Sequence, residues 1–333
     1  MSRVLIIAEA GVNHNGSLKQ AKELALCAKK AGADIVKYQT FKADAIVSAS
    51  AQKAEYQRKT TGGGESQLEL LRKLELSFDD FYSLAVYCRE LGIEFLSTAF
   101  DGDSMDFLVK EIGQRSVKIP SGEITNYPLL VKAASYGKPV FLSTGMSTTE
   151  EVGEALAVLR SSGSGNVTLL QCTTEYPAPM ADVNLAAMRG MGERFGVPVG
   201  YSDHTKGIEI AIAAAALGAV VIEKHFTLSR ELEGPDHKAS LEPDELAAMV
   251  SAIRNVGLAI GTGEKFVTKS ERSNRDIARR SIVAAEPIRK GEIFSEENLA
   301  AKRPGTGLSP MKWKDIIGER APRDYEKDEQ IEL

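Results

Sequence analysis

Disulfides are the first thing this chain lacks. Its 333 residues include three cysteines, Cys27, Cys88 and Cys172, and no two are close in sequence. Cys27 falls in a helical pattern and Cys172 in a strand pattern, so a reduced, cytoplasmic protein is expected. A long apolar run is also missing. The longest, Ala211 to Ile222, has 12 residues, whereas a bilayer-spanning helix needs about 20. The N-terminal run from Val4 to Ala8 stops at Glu9, too short for a signal-peptide core. There is no excess of positive charge: the net charge is −5, which argues against broad attraction to nucleic acid or to anionic membrane. Histidine is scarce, with four in the chain, so each one carries information.

What is present is an ordinary globular composition, 43% hydrophobic and 26% charged, enough for a large core. The length suits one large domain plus a small one. Short β-rich runs alternate with longer helical patterns. The predicted strands are Val4–Ala8, Asp34–Gln39, Glu94–Thr98, Ser116–Ile119, Val140–Ser143, Val167–Cys172, Val197–Ser202 and Val220–His225. Helical patterns fill the gaps, among them Leu18–Lys30, Asp79–Leu91, Thr149–Leu159 and Ile208–Leu217, and Glu242–Ile260 follows the last strand. Eight such units in roughly 260 residues predict an α/β fold of the (β/α)8 TIM-barrel kind. All eight strand ends carry polar residues. A barrel gathers them into one ring, whereas an open sheet would scatter them. Ala31-Gly32-Ala33, Leu91-Gly92 and Leu217-Gly218-Ala219 fit helix C-caps that feed the next strand.

The expected boundaries are residues 1–262 for the barrel, 263–280 for a linker rich in Ser, Lys, Arg and Glu, and 281–333 for a small module of short runs. That module is near the lower limit for a self-supporting core. The stretch from Phe41 to Leu76, with Gly62-Gly63-Gly64, reads as a long insertion after the second strand, where barrels place substrate contacts.

Two histidines end adjacent predicted strands: Tyr201-Ser202-Asp203-His204 and Glu223-Lys224-His225. Strand side chains alternate faces, so Ser202 points with His204, Glu223 with His225, and Lys37 with Gln39. His204 and His225 are thus either ligands of a catalytic divalent ion with open coordination positions or hydrogen-bonded interior histidines. Lys37 and Lys118 lie inside apolar runs, where a lysine needs a partner. An anion held with Ser121, Ser143 and Ser202 would supply one; intramolecular salt bridges are the alternative. Lys224 faces away from His225 and reads as a salt-bridge residue. Glu9 is a candidate base for a water or a partner for a lysine, and Glu123 follows the fourth strand. His14 reads as a loop residue capping the first helix. His237 reads as another loop residue, with Asp236 the better candidate beside it. Arg303 lies in Lys302-Arg303-Pro304-Gly305-Thr306-Gly307, on a loop whose path the Pro and Gly restrict.

Taken in order, Ile7-Ala8-Glu9-Ala10-Gly11-Val12-Asn13-His14-Asn15-Gly16, Val36-Lys37-Tyr38-Gln39-Thr40, Phe95-Leu96-Ser97-Thr98-Ala99-Phe100 and Lys118-Ile119-Pro120-Ser121-Gly122-Glu123 resemble the sialic acid synthase family. Leu142-Ser143-Thr144-Gly145-Met146, Cys172-Thr173-Thr174-Glu175-Tyr176-Pro177, the two histidine motifs and the Arg303 loop extend the resemblance nearly end to end. It implies a transferase that condenses phosphoenolpyruvate with an N-acetylated mannosamine-type sugar, giving a nine-carbon 2-keto acid and phosphate. It implies that the C-terminal module is an antifreeze-protein-like (SAF) domain, swapped across a homodimer. By position, His204 and His225 would bind Mn2+ or another divalent ion such as Mg2+ or Co2+. Lys37, Thr98, Lys118, Ser121, Ser143, Thr174 and Ser202 would line the phosphoenolpyruvate site, with Thr174 standing where some members carry Asn. Glu9 would handle the attacking water. Gln39, Glu123, Tyr176, Asp182 and Asp236 would face or support the sugar. Arg303 would reach its N-acetyl group from the other subunit.

The expected reaction is N-acetylneuraminate synthesis from N-acetylmannosamine. The alternative is legionaminic acid synthesis from 2,4-diacetamido-2,4,6-trideoxymannose by the same chemistry. These sugars differ at carbons 4 and 6, which are expected against the Phe41–Leu76 loop. A pyruvate-dependent aldolase would release no phosphate. A non-catalytic surface-binding protein would need a flat apolar face, which the charge-rich C-terminal end argues against.

Overall fold

In the computed structural model, which describes residues 3–48, 51–53, 55–61 and 64–332, the alternation predicted from sequence closes on itself. The first half runs β1 (Leu5–Gly11), α1 (Leu18–Ala31), β2 (Ile35–Thr40), α2 (Ala43–Ile46), α3 (Glu55–Thr61), α4 (Gln67–Leu74), α5 (Phe78–Leu91), β3 (Glu94–Ala99), α6 (Gly102–Asp106) and β4 (Val117–Ile119). It continues with α7 (Tyr127–Ser135), β5 (Val140–Ser143), α8 (Thr149–Ser161), β6 (Val167–Gln171), α9 (Ala186–Phe195), β7 (Val199–Asp203), α10 (Glu209–Ala216), β8 (Val221–His225) and α11 (Pro243–Ala259). Strands β1 to β8 are parallel neighbours in order, and β8 pairs back onto β1 to close the barrel.

Local chemistry sets the helix ends. The Ser17 side chain accepts from Gln20 N, and Gly32 ends α1 in the left-handed region at φ 83°. Ser77 with Asp80, and Thr148 with Glu151, form reciprocal capping boxes that start α5 and α8. Such caps satisfy amides that the first helical turn leaves unpaired. Ser17, not His14, is therefore the cap of α1. His14 is fully buried, and its Nδ1 accepts from Gly16 N at 3.1 Å.

Apolar residues on the outer strand faces pack under the helices in one large core. A second cluster fills the inside of the barrel: Ile7, Ile35, Leu96, Phe141, Leu170 and Val221. Gly200 belongs beside this plug, because a Cβ there would stand 2.7 Å from Leu170 Cδ2 and 2.5 Å from Val221 O.

The insertion after β2 carries α2, α3 and α4; Gly62 and Gly63 lie outside the described residues. The chain divides into two compact units, Met1–Gly261 and Thr262–Leu333. The second unit contains α12 (Arg272–Ala278), β9 (Ser281–Ala284), β10 (Leu299–Lys302) and α13 (Trp313–Ile316). Its antiparallel β9–β10 pair packs in a core with Ile288, Phe294, Tyr325 and Ile331. Among the described residues, no helix is long and apolar enough to cross a membrane.

Candidate active site

Two residues beyond the six plug residues, on the same strands or, for Cys172, one residue past the end of β6, stand Glu9, Lys37, Thr98, Ser143, Cys172 and Glu223. Period-two alternation keeps them on the inner face, so the apolar plug carries a polar floor. Above it opens a cavity of about 460 Å³ at the C-terminal mouth of the barrel, lined by Glu9, Lys37, Lys118 and Glu223 among others. This is the end at which TIM-barrel enzymes place their active sites.

The centre of the floor is an ion cluster. Lys37 Nζ lies 3.0 Å from Glu9 Oε2 and 3.6 Å from Glu223 Oε2. Lys118 Nζ lies 3.6 Å from Glu223 Oε1. All four side chains are at most 5% exposed. Hydroxyls tie the cluster to its neighbours: Lys37 donates to Thr98 Oγ1 at 3.1 Å, Lys118 to Ser143 Oγ at 2.7 Å, and Ser202 Oγ to Glu223 Oε1 at 2.9 Å.

Burial raises the Glu9 carboxyl above the ordinary carboxylate range, against the pull of Lys37. Burial acts on Glu223 in the same direction, but Lys118 and Lys37 outweigh it and hold that carboxylate below the range. Burial weakens the charge on Lys118, whereas Glu223 and Glu9 overcome burial at Lys37. Glu223 is thus the firmly ionised group between two ammonium ions, and Glu9 is the carboxylate that burial leaves easiest to protonate.

A second wall holds the imidazoles. The His204 and His225 rings lie 5.6 Å apart between centroids, and the Tyr176 ring sits 4.2 Å from His204. His204 Nδ1 is 2.7 Å from Thr173 O. Because a carbonyl only accepts, Nδ1 carries the proton and Nε2 keeps its lone pair; the nearby Ser202 hydroxyl, 3.5 Å from Nε2, gives its proton to Glu223 at 2.9 Å. Burial holds His204 near pKa 4 and His225 well below the usual value, so both rings are neutral. Among the described residues, His225 Nδ1 is a buried nitrogen without a hydrogen bond, 4.0 Å from Asp236 Oδ2. Neutral imidazoles with free lone pairs, one oriented by a backbone carbonyl, fit a divalent cation whose other positions stay open. No group of three or more His, Cys, Asp or Glu suited to a metal occurs among the described residues, so water or substrate would supply the remaining ligands.

The other predicted residues divide by location. Gln39, Ser121, Glu123, Thr174, Tyr176 and Asp236 line the same cavity. Gln39 Nε2 donates to Glu9 Oε1 at 3.3 Å, Ser121 Oγ accepts from Gly145 N at 3.0 Å, and Glu123 Oε2 accepts from Asn126 Nδ2 at 2.6 Å. Thr174 Oγ1 is buried with no hydrogen-bond partner among the described residues. Burial raises Asp236 to about 6.

Asp182, expected to face or support the sugar, stands in the supporting position. It is exposed, ends the short turn Met180–Asp182, and lines an adjoining hollow with Thr173 and Thr174 rather than the central cavity. Its backbone oxygen accepts from Thr173 Oγ1 at 3.0 Å, so its visible role is to brace that loop. Arg303 belongs to the second unit, where its Nε donates to Ala278 O at 3.0 Å. Lys224 faces away from the cavity and is wholly buried, 2.8 Å from Asp203 Oδ2. His237 is also buried, with Nδ1 at 2.7 Å from Thr227 Oγ1.

One feature was not singled out from sequence. Glu223 bridges both lysines, and the signal for it was its shared strand face with His225. The Phe41–Leu76 insertion, expected beside the sugar, lines the cavity with Phe41, Ile46, Val47, Leu70, Leu71 and Leu74.

Comparison with known proteins agrees with this arrangement. A model described as the NeuB family matches residues 24–265, and one described as the SAF domain matches residues 279–332. The chain is 52% identical over 333 residues to N,N'-diacetyllegionaminic acid synthase of Campylobacter jejuni, covering 99% of each. It is 48% identical over 319 residues to the protein of the same name from Legionella pneumophila, covering 95% of this chain and 89% of that one. A solved structure of N-acetylneuraminic acid synthetase from Leptospira borgpetersenii, in complex with citrate, aligns with a TM-score of 0.72 at 34% identity, over 82% of this chain and 90% of that one. With the match spanning most of both units, the chain belongs to the sialic acid synthase family, the NeuB family, and ends in a SAF domain.

Proposed function

We propose that this protein condenses phosphoenolpyruvate with open-chain 2,4-diacetamido-2,4,6-trideoxymannose to give N,N'-diacetyllegionaminic acid and phosphate. This displaces N-acetylneuraminate synthesis as the first reading. The relatives at 52% and 48% identity bear the legionaminic name, whereas the N-acetylneuraminic acid synthetase stands at 34%. The observation that carries the chemistry is the buried Lys37–Glu223–Lys118 bridge in one cavity with two neutral histidines.

The residues divide the work. Lys37 and Lys118 neutralise the carboxylate and phosphate of phosphoenolpyruvate, with hydroxyl donors from Thr98, Ser121, Ser143, Thr174 and Ser202. A divalent ion on His204 and His225 (Mn2+, Mg2+ or Co2+) would supply Lewis-acid polarisation of the aldehyde oxygen. Gln39, Glu123, Tyr176 and Asp236 orient the sugar, with Asp182 bracing the loop behind Thr174. Carbon 3 of phosphoenolpyruvate forms the new bond to the aldehyde carbon, and positive charge develops at carbon 2. Water oriented by Glu9 adds there and gives one proton to Glu9, which offsets the proton that the aldehyde oxygen gains on becoming a hydroxyl, and the tetrahedral centre collapses to the keto group as phosphate leaves with the other. Holding both reactants in one pocket removes much of the entropic barrier. In a domain-swapped homodimer, Arg303 would reach the sugar's N-acetyl group from the other subunit.

The test is phosphate release from phosphoenolpyruvate with each candidate sugar, followed by mass measurement of the product. The expected result is stoichiometric phosphate and the diacetamido nine-carbon acid, at a higher kcat/KM than with N-acetylmannosamine. Preference for N-acetylmannosamine would overturn the sugar assignment. Product formed from pyruvate without phosphate release would overturn the reaction.

A further inference from the structure

The cavity has one wall that the chemistry above leaves unused. Helix α4 turns Gln67, Leu70, Leu71 and Leu74 toward the cavity, the spacing of a single helical face. Its other face carries Arg72 and Lys73, which pair with Asp44 and Glu65. Ser66 fixes the start of the helix by accepting from Glu69 N at 3.2 Å, while Glu69 Oε2 accepts from Ser66 N at 2.8 Å. Leu70 and Leu74 are buried with Phe41 in a small cluster of their own, and Ile46 and Leu71 remain partly exposed against it. The apolar side chains of this wall meet the open space rather than one another alone.

The barrel interior constrains how a sugar lies there. Below the polar floor the barrel is plugged by apolar side chains. A sugar whose aldehyde sits at the histidines must therefore run its far carbons outward, toward the loops. We infer that the apolar face formed by α2 and α4 receives carbon 6 of the sugar and selects a methyl group over a hydroxymethyl group there. The inference rests on the synthase reading and names the part of the molecule that sets its sugar specificity. A 6-hydroxyl against Ile46, Leu70, Leu71 and Leu74 loses its water without gaining a partner. An apolar pocket rejects an added hydroxyl only modestly, by roughly 10- to 100-fold.

The experiment uses two matched pairs of sugars with the full-length enzyme and phosphoenolpyruvate. One pair is N-acetylmannosamine and its 6-deoxy analogue. The other is 2,4-diacetamido-2,4-dideoxymannose and its 6-deoxy analogue. The wild type is expected to favour the 6-deoxy member of each pair by roughly 10- to 100-fold in kcat/KM. Leu71→Gln and Ile46→Thr, at partly exposed positions, are expected to shrink both ratios several-fold while leaving KM for phosphoenolpyruvate within a factor of about two. Equal kcat/KM within both pairs in the wild type would overturn this inference and leave the synthase reading intact. Absence of phosphate release with every sugar would sink both.

Discussion

The floor and the side wall of the cavity are built on opposite plans. Strands carry the floor: ionised, hydrogen-bonded side chains project from residues whose backbones are locked in the barrel ladder. A loop insertion carries the wall: short helices present leucine and isoleucine, and their charges face away. Rigid strands hold chemistry that tolerates little displacement, whereas insertions can be exchanged without disturbing the closed sheet. The division predicts that changes to the floor alter turnover for every sugar, and that changes to the wall alter which sugar is used.

The sharpest break is removal of the ion assigned to the floor. Exhaustive chelation is expected to lower phosphate release by about 10³-fold or more with every sugar, with Mn2+ restoring it, because aldehyde polarisation contributes several kcal/mol. Full activity after chelation would return His204 and His225 to the status of interior histidines.

The two carboxylates come next. Glu9→Gln should leave phosphoenolpyruvate binding nearly intact and lower kcat by about 10²- to 10⁴-fold, the range for loss of a positioned base. Glu223→Gln should behave differently. It removes a negative charge from between Lys37 and Lys118, so the pocket becomes more attractive to an anion. KM for phosphoenolpyruvate should fall or hold while kcat drops. A raised KM would mean that Glu223 organises the lysines rather than balancing their charge.

The floor was legible in the sequence residue by residue, the wall only as a stretch of chain, Phe41 to Leu76. Ser202 with His204, and Lys37 with Gln39, could be assigned to one face because strand geometry has a period of two. The same rule put Glu223 beside His225. It did not reveal that Glu223 bridges two lysines, because that contact joins β2, β4 and β8 across the barrel. The leucines of α4 have the spacing of any amphipathic helix, and only the path of the insertion decides whether they face a core or a cavity. Asp182 shows the limit of placing a residue by motif order. Its place in the ordered resemblance suggested the sugar region, yet the chain after Thr174 carries it into the adjoining hollow.

A finer test of the wall uses a polar residue of α4. Gln67 precedes the leucines on the same face of α4, so its carboxamide is suited to pair with a 4-acetamido group. Gln67→Ala should raise KM for the diacetamido sugar about 10-fold, the worth of one to two neutral hydrogen bonds. The rise should be smaller for N-acetylmannosamine, which carries only a hydroxyl at carbon 4. Equal increases for both sugars would place the amide elsewhere on the substrate.

The smallest effect concerns a histidine that belongs to neither surface. His14 is buried in the loop between β1 and α1, and burial alone holds its pKa near 4. Its unfolded value is about 6.5. Between these limits the unfolded chain binds more protons than the folded one, so stability is complete above about pH 6.5 and declines as pH falls toward 4. The contribution is on the order of 3 kcal/mol over the whole window. Urea denaturation at pH 7.5, 6.0 and 5.0 should show a shallower decline for His14→Gln than for the wild type, with kcat at pH 7.5 little changed. Identical declines would mean that the pH dependence arises elsewhere. A large loss of kcat would move His14 into the chemistry of the floor, and the division between strand-borne and loop-borne histidines would no longer hold.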